Sequence, residues 1–306
     1  MVFTKNKLNF VILFFQFLIS LISYTQITKL PESYIKARIQ EYFEEDFPTG
    51  DYTTDNLIDS KKSVSAYIQA EEELVVSGTV VLPYFFSNDF NVEILKQDKS
   101  IAKNGDIIAR ITGKSSEILT KERTLLNLMQ RLCGVATLTK KFVDLAKPYN
   151  VTILDTRKTM PGMRLFDKYA VTCGGGQNHR LNLSSGILIK DNHISAAGGV
   201  SNAVKQIGAL VKTLKIELEV DDFSQLNEGL NSGIDGVLLD NMSPAKIADA
   251  VEIIRKHPLG KELFIEASGG INLENIGGYL VTGIDAISIG AITHSVKNSN
   301  IHLEFE

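Results

Sequence analysis

The sequence predicts an α/β fold: a barrel of parallel strands preceded by a smaller part built from a helix and a mostly antiparallel sheet. Three observations predict it. Short apolar runs recur through the second half of the chain, at Val151–Leu154, Gly186–Ile189, Lys215–Leu218, Gly236–Leu239, Glu262–Ile265 and Ala286–Ile289. Amphipathic stretches of helical spacing separate most of them, such as Val200–Leu214, Phe223–Asn231 and Pro244–Lys256. Every run ends in a polar, ionisable or glycine-containing turn. Strand–helix alternation specifies parallel β/α units, and strands buried on both faces read as continuous apolar runs. Functional strand ends all around favour a closed ring over an open sheet, which uses only its switch point. A seventh strand is expected near Tyr169–Cys173.

The first elements are read in order. Lys5 and Lys7 precede an apolar stretch from Leu8 to Tyr24, broken by Gln16, Ser20 and Ser23. A basic segment followed by an apolar one is the pattern of a signal, and the stretch is slightly short of the roughly 20 residues of a spanning helix. A cleaved signal, a membrane anchor touching lipid through residues 8–24, and an extension from a misplaced start all remain open. The next methionine after Met1 is Met129, so a later start would need a non-AUG codon. Residues 1–30 are set aside from the fold argument, with the expectation that a chain beginning near Pro31 is soluble, oligomeric and active.

From Pro31 to Glu45, Tyr34, Ile35, Ile39 and Tyr42 recur at helical spacing after a proline suited to a helix start. A turn is expected over Asp46–Asp55, then strands at Ser63–Ala70, Glu73–Leu82, Asn91–Leu95 and Asp106–Thr112. A long helix is expected over Glu117–Phe142, with Gly134 as its one weak position.

Composition narrows the function. The net charge is −4 with 22% charged residues, and the sequence has no basic run, which argues against nucleic acid as a partner. Cys133 and Cys173 are the only cysteines, do not form a Cys-x-x-Cys pair, and read as buried reduced thiols.

Local charge is more telling. Arg157, Lys158, Arg164, Lys168, Arg180 and Lys190, with His179 and His193, cluster at and between strand ends, opposed by Asp167 and Asp191. Such a cluster suits a ligand with several negative groups, since the guanidinium fork matches carboxylate and phosphate. A solvated surface face is the competing reading. Glycine turns at Gly174–Gly176, Ser268-Gly269-Gly270 and Gly290 suit backbone approach to phosphate, and barrels often bind phosphate after their last two strands. Glu219 and Asp240 stand at neighbouring strand ends in this basic mouth. They suit Mg²⁺, or positive charge developing on a sugar, or else pair with Lys190 or Arg180. The histidines show no zinc spacing.

The run Asp155-Thr156-Arg157-Lys158-Thr159-Met160-Pro161-Gly162-Met163-Arg164 resembles the signature of the quinolinate phosphoribosyltransferase family. So do Glu122–Asn127, Lys168–Val171, Gly174-Gly175-Gly176-Gln177-Asn178-His179-Arg180, Ile189-Lys190-Asp191-Asn192-His193, Leu239–Met242, Glu266–Gly270 and Ile289–Ser295. Glu45-Asp46, Gly50-Asp51 and Thr53-Thr54 match its N-terminal pattern. Met160 stands where threonine is usual, and Cys133 where serine is common. The resemblance spans residues from about 33 to 300.

The resemblance implies an incomplete, about seven-stranded α/β barrel at residues 127–292. It also implies an N-terminal open-faced α/β sandwich at residues 31–126, joined by the C-terminal segment 293–306. It implies a homodimer or homohexamer in which Arg123 reaches a neighbour's site. Quinolinate would be held by Arg123, Arg157, His179, Arg180 and Lys190. Lys158 would lean toward the phosphates of phosphoribosyl pyrophosphate, whose 5′-phosphate would rest on Ser268, Gly269, Gly270, Ile289, Gly290 and Ala291, and Thr156 is a further substrate-binding residue. Lys158, Lys190, Glu219 and Asp240 form the catalytic set, and Glu219 and Asp240 would hold Mg²⁺. Nicotinate mononucleotide, pyrophosphate and CO₂ would be the products, in a cytoplasmic enzyme of NAD synthesis, with membrane association or export as the alternative. The rivals are a paralogue with another acceptor, another phosphosugar barrel enzyme, and an inactive scaffold held by the leader. The cationic set at positions 157, 158, 179, 180 and 190 argues against the first, and intact charged residues at every strand end argue against the last.

Overall fold

The computed structural model describes residues 22–59 and 61–306. Along them run α1 (Glu32–Asp46), α2 (Tyr52–Leu57), β1 (Ser63–Ala70), β2 (Leu74–Val75), α3 (Leu82–Phe85), β3 (Asn91–Ile94), β4 (Ile101–Ala102) and β5 (Ile107–Lys114). Then come α4 (Ser115–Ala146), β6 (Thr152–Leu154), α5 (Arg164–Cys173), β7 (Ile187–Ile189), α6 (Asp191–Ala197), α7 (Val200–Leu210) and β8 (Ile216–Val220). The chain ends with α8 (Phe223–Leu230), β9 (Gly236–Asp240), α9 (Pro244–Lys256), β10 (Phe264–Ser268), α10 (Ile276–Leu280), β11 (Ala286–Ser288), α11 (Ala291–His294) and β12 (Ile301–Phe305).

The chain divides into two compact units. The first comprises the described residues through Thr25, with Ala146–Leu154 and His179–Ile289. Its sheet is six-stranded and parallel, in the order β6-β11-β10-β9-β8-β7, with helices between the strands. This is an incomplete α/β barrel, with β6 and β7 as its two edges. The register aligns Glu217 with Gly236 and Phe264, and Glu219 with Leu238 and Glu266, while Asp240 aligns with Ser268. Paired residues of parallel neighbours face the same way, and residues two apart share a face. Glu217, Glu219, Asp240, Glu266 and Ser268 therefore lie on one face of the sheet.

The second unit comprises Gln26–Leu145, Asp155–Asn178 and Gly290–Glu306. Its main sheet is antiparallel, ordered β12-β1-β5-β3, so the C-terminal strand pairs with the first one. Ile68, Ile108, Ile111, Ile118, Leu125 and Met129 are among its fully buried side chains. Gly134, the weak position of α4, has a packing reason: a Cβ there would lie 2.4 Å from the carbonyl oxygen of Lys297.

Three segments differ from the sequence expectation. Tyr169–Cys173 is the end of helix α5, whose Phe166, Tyr169, Ala170 and Cys173 are buried at helical spacing, and not a seventh strand. Within Glu73–Leu82 only Leu74–Val75 is extended. Asp98 accepts the N–H groups of Gly78 (3.1 Å) and Thr79 (2.8 Å), which turns the chain, and Pro83 then has no N–H for a ladder. Asp51 caps α2 by accepting from Thr53 and Thr54, so half of the expected turn is helical.

Residues 8–21 lie outside the described residues. Within residues 22–30, set aside with them on sequence grounds, Ile22 and Leu30 are buried. Among the described residues no helix is long and apolar enough to cross a membrane.

Candidate active site

In the barrel unit, the polar side chains form two tiers on the inner face. The upper tier stands at the C-terminal strand ends. Glu219 and Asp240 occupy neighbouring strands β8 and β9, two residues apart in register. The Lys190 ammonium donates to Glu219 Oε2, the ion pair weighed as an alternative role for Glu219. Lys190 remains 41% exposed, so the pair does not bury its charge. Burial raises the Glu219 pKa and the Asp240 charge raises it further, while Lys190 opposes the shift. Asp240 Oδ2 accepts from Asn241 Nδ2 at 2.6 Å.

Turn geometry holds this tier. Asn241 adopts a left-handed conformation, φ 53°, and its N–H donates to Ser268 O at 2.9 Å. Gly269 faces it at φ 94°, where a Cβ would lie 2.2 Å from Asn241 Oδ1. Only glycine allows both the conformation and the approach. Gly270 follows, also at positive φ, and Ile289 sits just past β11. His193 is accounted for locally: its Nδ1 accepts the Lys190 N–H at 3.0 Å, at the start of α6.

The lower tier is buried. Glu217 and Glu266 are fully inaccessible. His179 Nε2 lies 3.3 Å from Glu217 Oε2 and 3.5 Å from Glu266 Oε2, and its Nδ1 accepts the Arg180 N–H at 2.7 Å. Arg180, also buried, donates to Gly186 O at 3.2 Å. Glu266 is pushed up to about 8 by burial first and by the Glu217 charge second, with His179 and Ser288 opposing. Glu217 Oε1 and both Glu266 oxygens have no hydrogen-bond partner among the described residues.

In the second unit, Asp155 and Lys168 form a fully buried ion pair. Asn178 donates to Asp155 Oδ2 at 2.8 Å and to Lys168 O at 2.9 Å. Directly after Asp155 come the site candidates Thr156, Arg157 and Lys158. The Lys158 N–H donates to Thr156 Oγ1 at 3.0 Å, and Thr293 Oγ1 donates to Lys158 O at 2.9 Å. Arg157 Nε is buried without a hydrogen-bond partner among the described residues, a donor suited to an anionic ligand. Gly290 and Ala291 open α11, close enough that a Cβ on Gly290 would lie 3.1 Å from Lys158 Cδ. Arg123 projects from α4, 64% exposed, beside a cavity of roughly 380 Å³ lined also by Asp46, Asn127, Arg131 and Met163.

Residues 51–133 match the N-terminal domain of quinolinate phosphoribosyl transferase, and residues 135–304 match its C-terminal domain. The chain belongs to the quinolinate phosphoribosyl transferase family. A relative from Bacillus subtilis (strain 168), the "Probable nicotinate-nucleotide pyrophosphorylase [carboxylating]", is 37% identical over 274 residues, 88% of this chain and 93% of that protein. The "Nicotinate-nucleotide pyrophosphorylase [carboxylating]" of Mycobacterium leprae is 36% identical over 272 residues, 87% of this chain and 95% of that one. The solved nicotinate-nucleotide pyrophosphorylase from Francisella tularensis superposes with a TM-score of 0.86 at 35% identity, covering 93% of this chain and all of that one.

Family membership accounts for the charged strand ends, yet several buried polar residues were not singled out as site candidates from the sequence. Glu217 lies inside an apolar run, and Glu266 was read only as part of a motif. A carboxylate in the middle of a two-faced strand is itself the signal, because it must face something polar. Asn178 was likewise quoted only within its motif. Tyr24 carried no such signal, since an aromatic residue at the end of an apolar leader is ordinary.

Proposed function

We propose that this chain transfers the phosphoribosyl group of phosphoribosyl pyrophosphate to quinolinate and releases CO₂, giving nicotinate mononucleotide and pyrophosphate. The observation that carries the reading is the family match over both domains. The names of the relatives agree with it.

Each candidate then takes a role. Arg157, with its buried donor, and Lys190, His179 and Arg180 grip the two carboxylates of quinolinate. Lys158 and Thr156 lie toward the phosphates. The turns Ser268–Gly270 and Ile289–Ala291 present backbone N–H groups to the 5′-phosphate. Glu219 and Asp240 fit a divalent cation: they share one face, and each disfavours the other's charge. They would hold Mg²⁺, which when bound would neutralise the charge of the pyrophosphate group.

The pyridine nitrogen forms a bond to the anomeric carbon as the bond to pyrophosphate breaks, and pyrophosphate leaves with the electron pair. The carboxylates at the strand ends balance positive charge on the ribose. The adjacent carboxylate of the pyridinium then departs as CO₂. Its electron pair stays on the ring carbon beside the positive nitrogen and is protonated.

Incubation with quinolinate, phosphoribosyl pyrophosphate and Mg²⁺ tests this by the appearance of nicotinate mononucleotide and CO₂. Nicotinate is expected to be a far poorer acceptor, because cations placed for a second carboxylate are left unpaired. Comparable turnover of the two acids overturns the assignment.

Arg123 is assigned to a neighbouring subunit's site in a homodimer or homohexamer. Mixing Arg123→Ala with Lys190→Ala subunits is expected to restore part of the activity that each lacks alone. No recovery after subunit exchange places Arg123 elsewhere. We place the catalytic body in the cytoplasm, with membrane association or export through the N-terminal segment as the alternative, and fractionation of source cells tests that.

A further inference from the structure

Ile22 and Tyr24 enter the barrel unit from the end of the strands opposite to Glu219 and Asp240. Ile22 packs with Phe264 and Ala286, the first residues of β10 and β11, and with Leu154. The barrel is shaped around them. A Cβ on Gly236 would lie 2.5 Å from Ile22 Cδ1, and a Cβ on Gly186 would lie 2.6 Å from Tyr24 Cε1. A side chain at Gly186 would displace the Tyr24 ring, and one at Gly236 would force the Ile22 terminal methyl to shift.

What Tyr24 touches is the lower tier. Its ring stacks on the His179 imidazole, centroids 4.5 Å apart and planes at 24°. Its hydroxyl donates to Glu217 Oε2 at 2.8 Å, the oxygen that His179 Nε2 approaches at 3.3 Å. The three side chains close a triangle. One edge fixes the tilt of the imidazole, and another fixes the carboxylate that its Nε2 faces. With Nδ1 accepting the Arg180 N–H, the ring proton is directed to Nε2. Tyr24 lies upstream of the residues matched by both family domains, which begin at residue 51.

We infer that Tyr24 is a positioning residue for His179: the segment at residues 22–24 is a built part of the barrel, and it sets how well His179 receives a carboxylate of the acceptor. The inference rests on the proposed role of His179 in holding quinolinate. It also gives the chain before Gln26 a function, because removal of the leader up to that residue takes Tyr24 with it.

The test compares Tyr24→Phe, Tyr24→Ala and a chain beginning at Gln26 with the full chain. Tyr24→Phe keeps the stack and loses the hydrogen bond to Glu217, so KM for quinolinate is expected to rise about two- to tenfold. Tyr24→Ala and the shortened chain lose the stack too and are expected to exceed that. KM for phosphoribosyl pyrophosphate is expected to stay within about twofold, since the stack on His179 and the hydrogen bond to Glu217 act on the acceptor side.

An unchanged quinolinate KM in all three overturns the inference. So does a parallel rise of both KM values with loss of thermal stability, which marks a purely structural role. A lower quinolinate KM overturns it as well, because it marks a segment that competes with the acceptor. Nitrogen-15 spectra of the His179 ring, recorded without substrate, are expected to change in Tyr24→Phe. They keep the inference testable apart from the reaction. If the full chain does not turn over quinolinate, the proposed function fails, while an unchanged ring spectrum alone refutes the positioning role.

Discussion

The two units each bury a polar cluster, and the clusters are balanced in opposite ways. In the second unit Asp155 meets Lys168, one anion to one cation, and Asn178 supplies further hydrogen bonds. In the barrel unit Glu217 and Glu266 share a single imidazole, and three of their four oxygens have no hydrogen-bond partner among the described residues. The first arrangement is a structural clamp whose charges cancel. The second buries two carboxylates side by side, and burial first and the Glu217 charge second hold the Glu266 pKa well above the ordinary carboxylate range. Burial alone thus does not define a role. The ratio of opposite charges and the number of unmet acceptors separate the clamp from the poised cluster.

Breaking the clamp is expected to have the largest effect. Burial lowers the Lys168 pKa while Asp155 raises it, so the ammonium depends on its partner. Lys168→Met leaves Asp155 buried without its cation, which costs about 3–5 kcal/mol. Urea unfolding is expected to show this as a fall in midpoint. The double variant Lys168→Met with Asp155→Leu is expected to recover part of the loss, because two apolar groups leave no charge uncompensated. No recovery would mean that Asn178, left with unmet groups, matters as much as the pair.

The cations near the barrel's two tiers come next. Arg180→Ala and Lys190→Ala are each expected to lower kcat/KM by about 100-fold or more, as charge-assisted contacts do when removed. Arg180 is buried and Lys190 is partly exposed, so their stability effects are expected to differ while their activity effects do not. Near-normal activity in either variant would make that residue peripheral. Equal destabilisation of the two would remove the contrast between the tiers.

How much of this was legible in the sequence follows from what each residue must satisfy. The six parallel strands were legible because two-sided burial demands continuous apolar runs, and helix α9 was legible to the residue because Ser243 caps it and Pro244 opens it. Glu219 and Asp240 were legible because they close apolar runs. β4 was missed because a two-residue strand has no period to read. α3 was hidden in an apolar stretch whose turn is set by the distant Asp98. Tyr24 was hidden more deeply. An apolar leader and a segment that packs under a barrel use the same residues, and only the three-dimensional fit to Gly186 and Gly236 distinguishes them.

The smallest expected effect sharpens the charge comparison through pH. The Glu266 pKa is raised from 4.5 to about 8 in the folded chain. A raised pKa means that the folded state binds the proton more tightly than the unfolded state. Its stabilising contribution is therefore complete below about 4.5 and is lost as pH rises through about 8. Over that window the loss is on the order of 1 kcal/mol per pH unit for one proton. Glu266→Gln carries a neutral group of the same shape and is expected to flatten this slope, making the variant relatively more stable at pH 8 than at pH 5. The intact Asp155–Lys168 clamp, one anion to one cation, holds no such excess proton. Thermal melts of the parent chain and the Gln variant across this range measure the difference directly. If the two curves run parallel, Glu266 carries no such proton, and the contrast between the clamp and the lower tier falls.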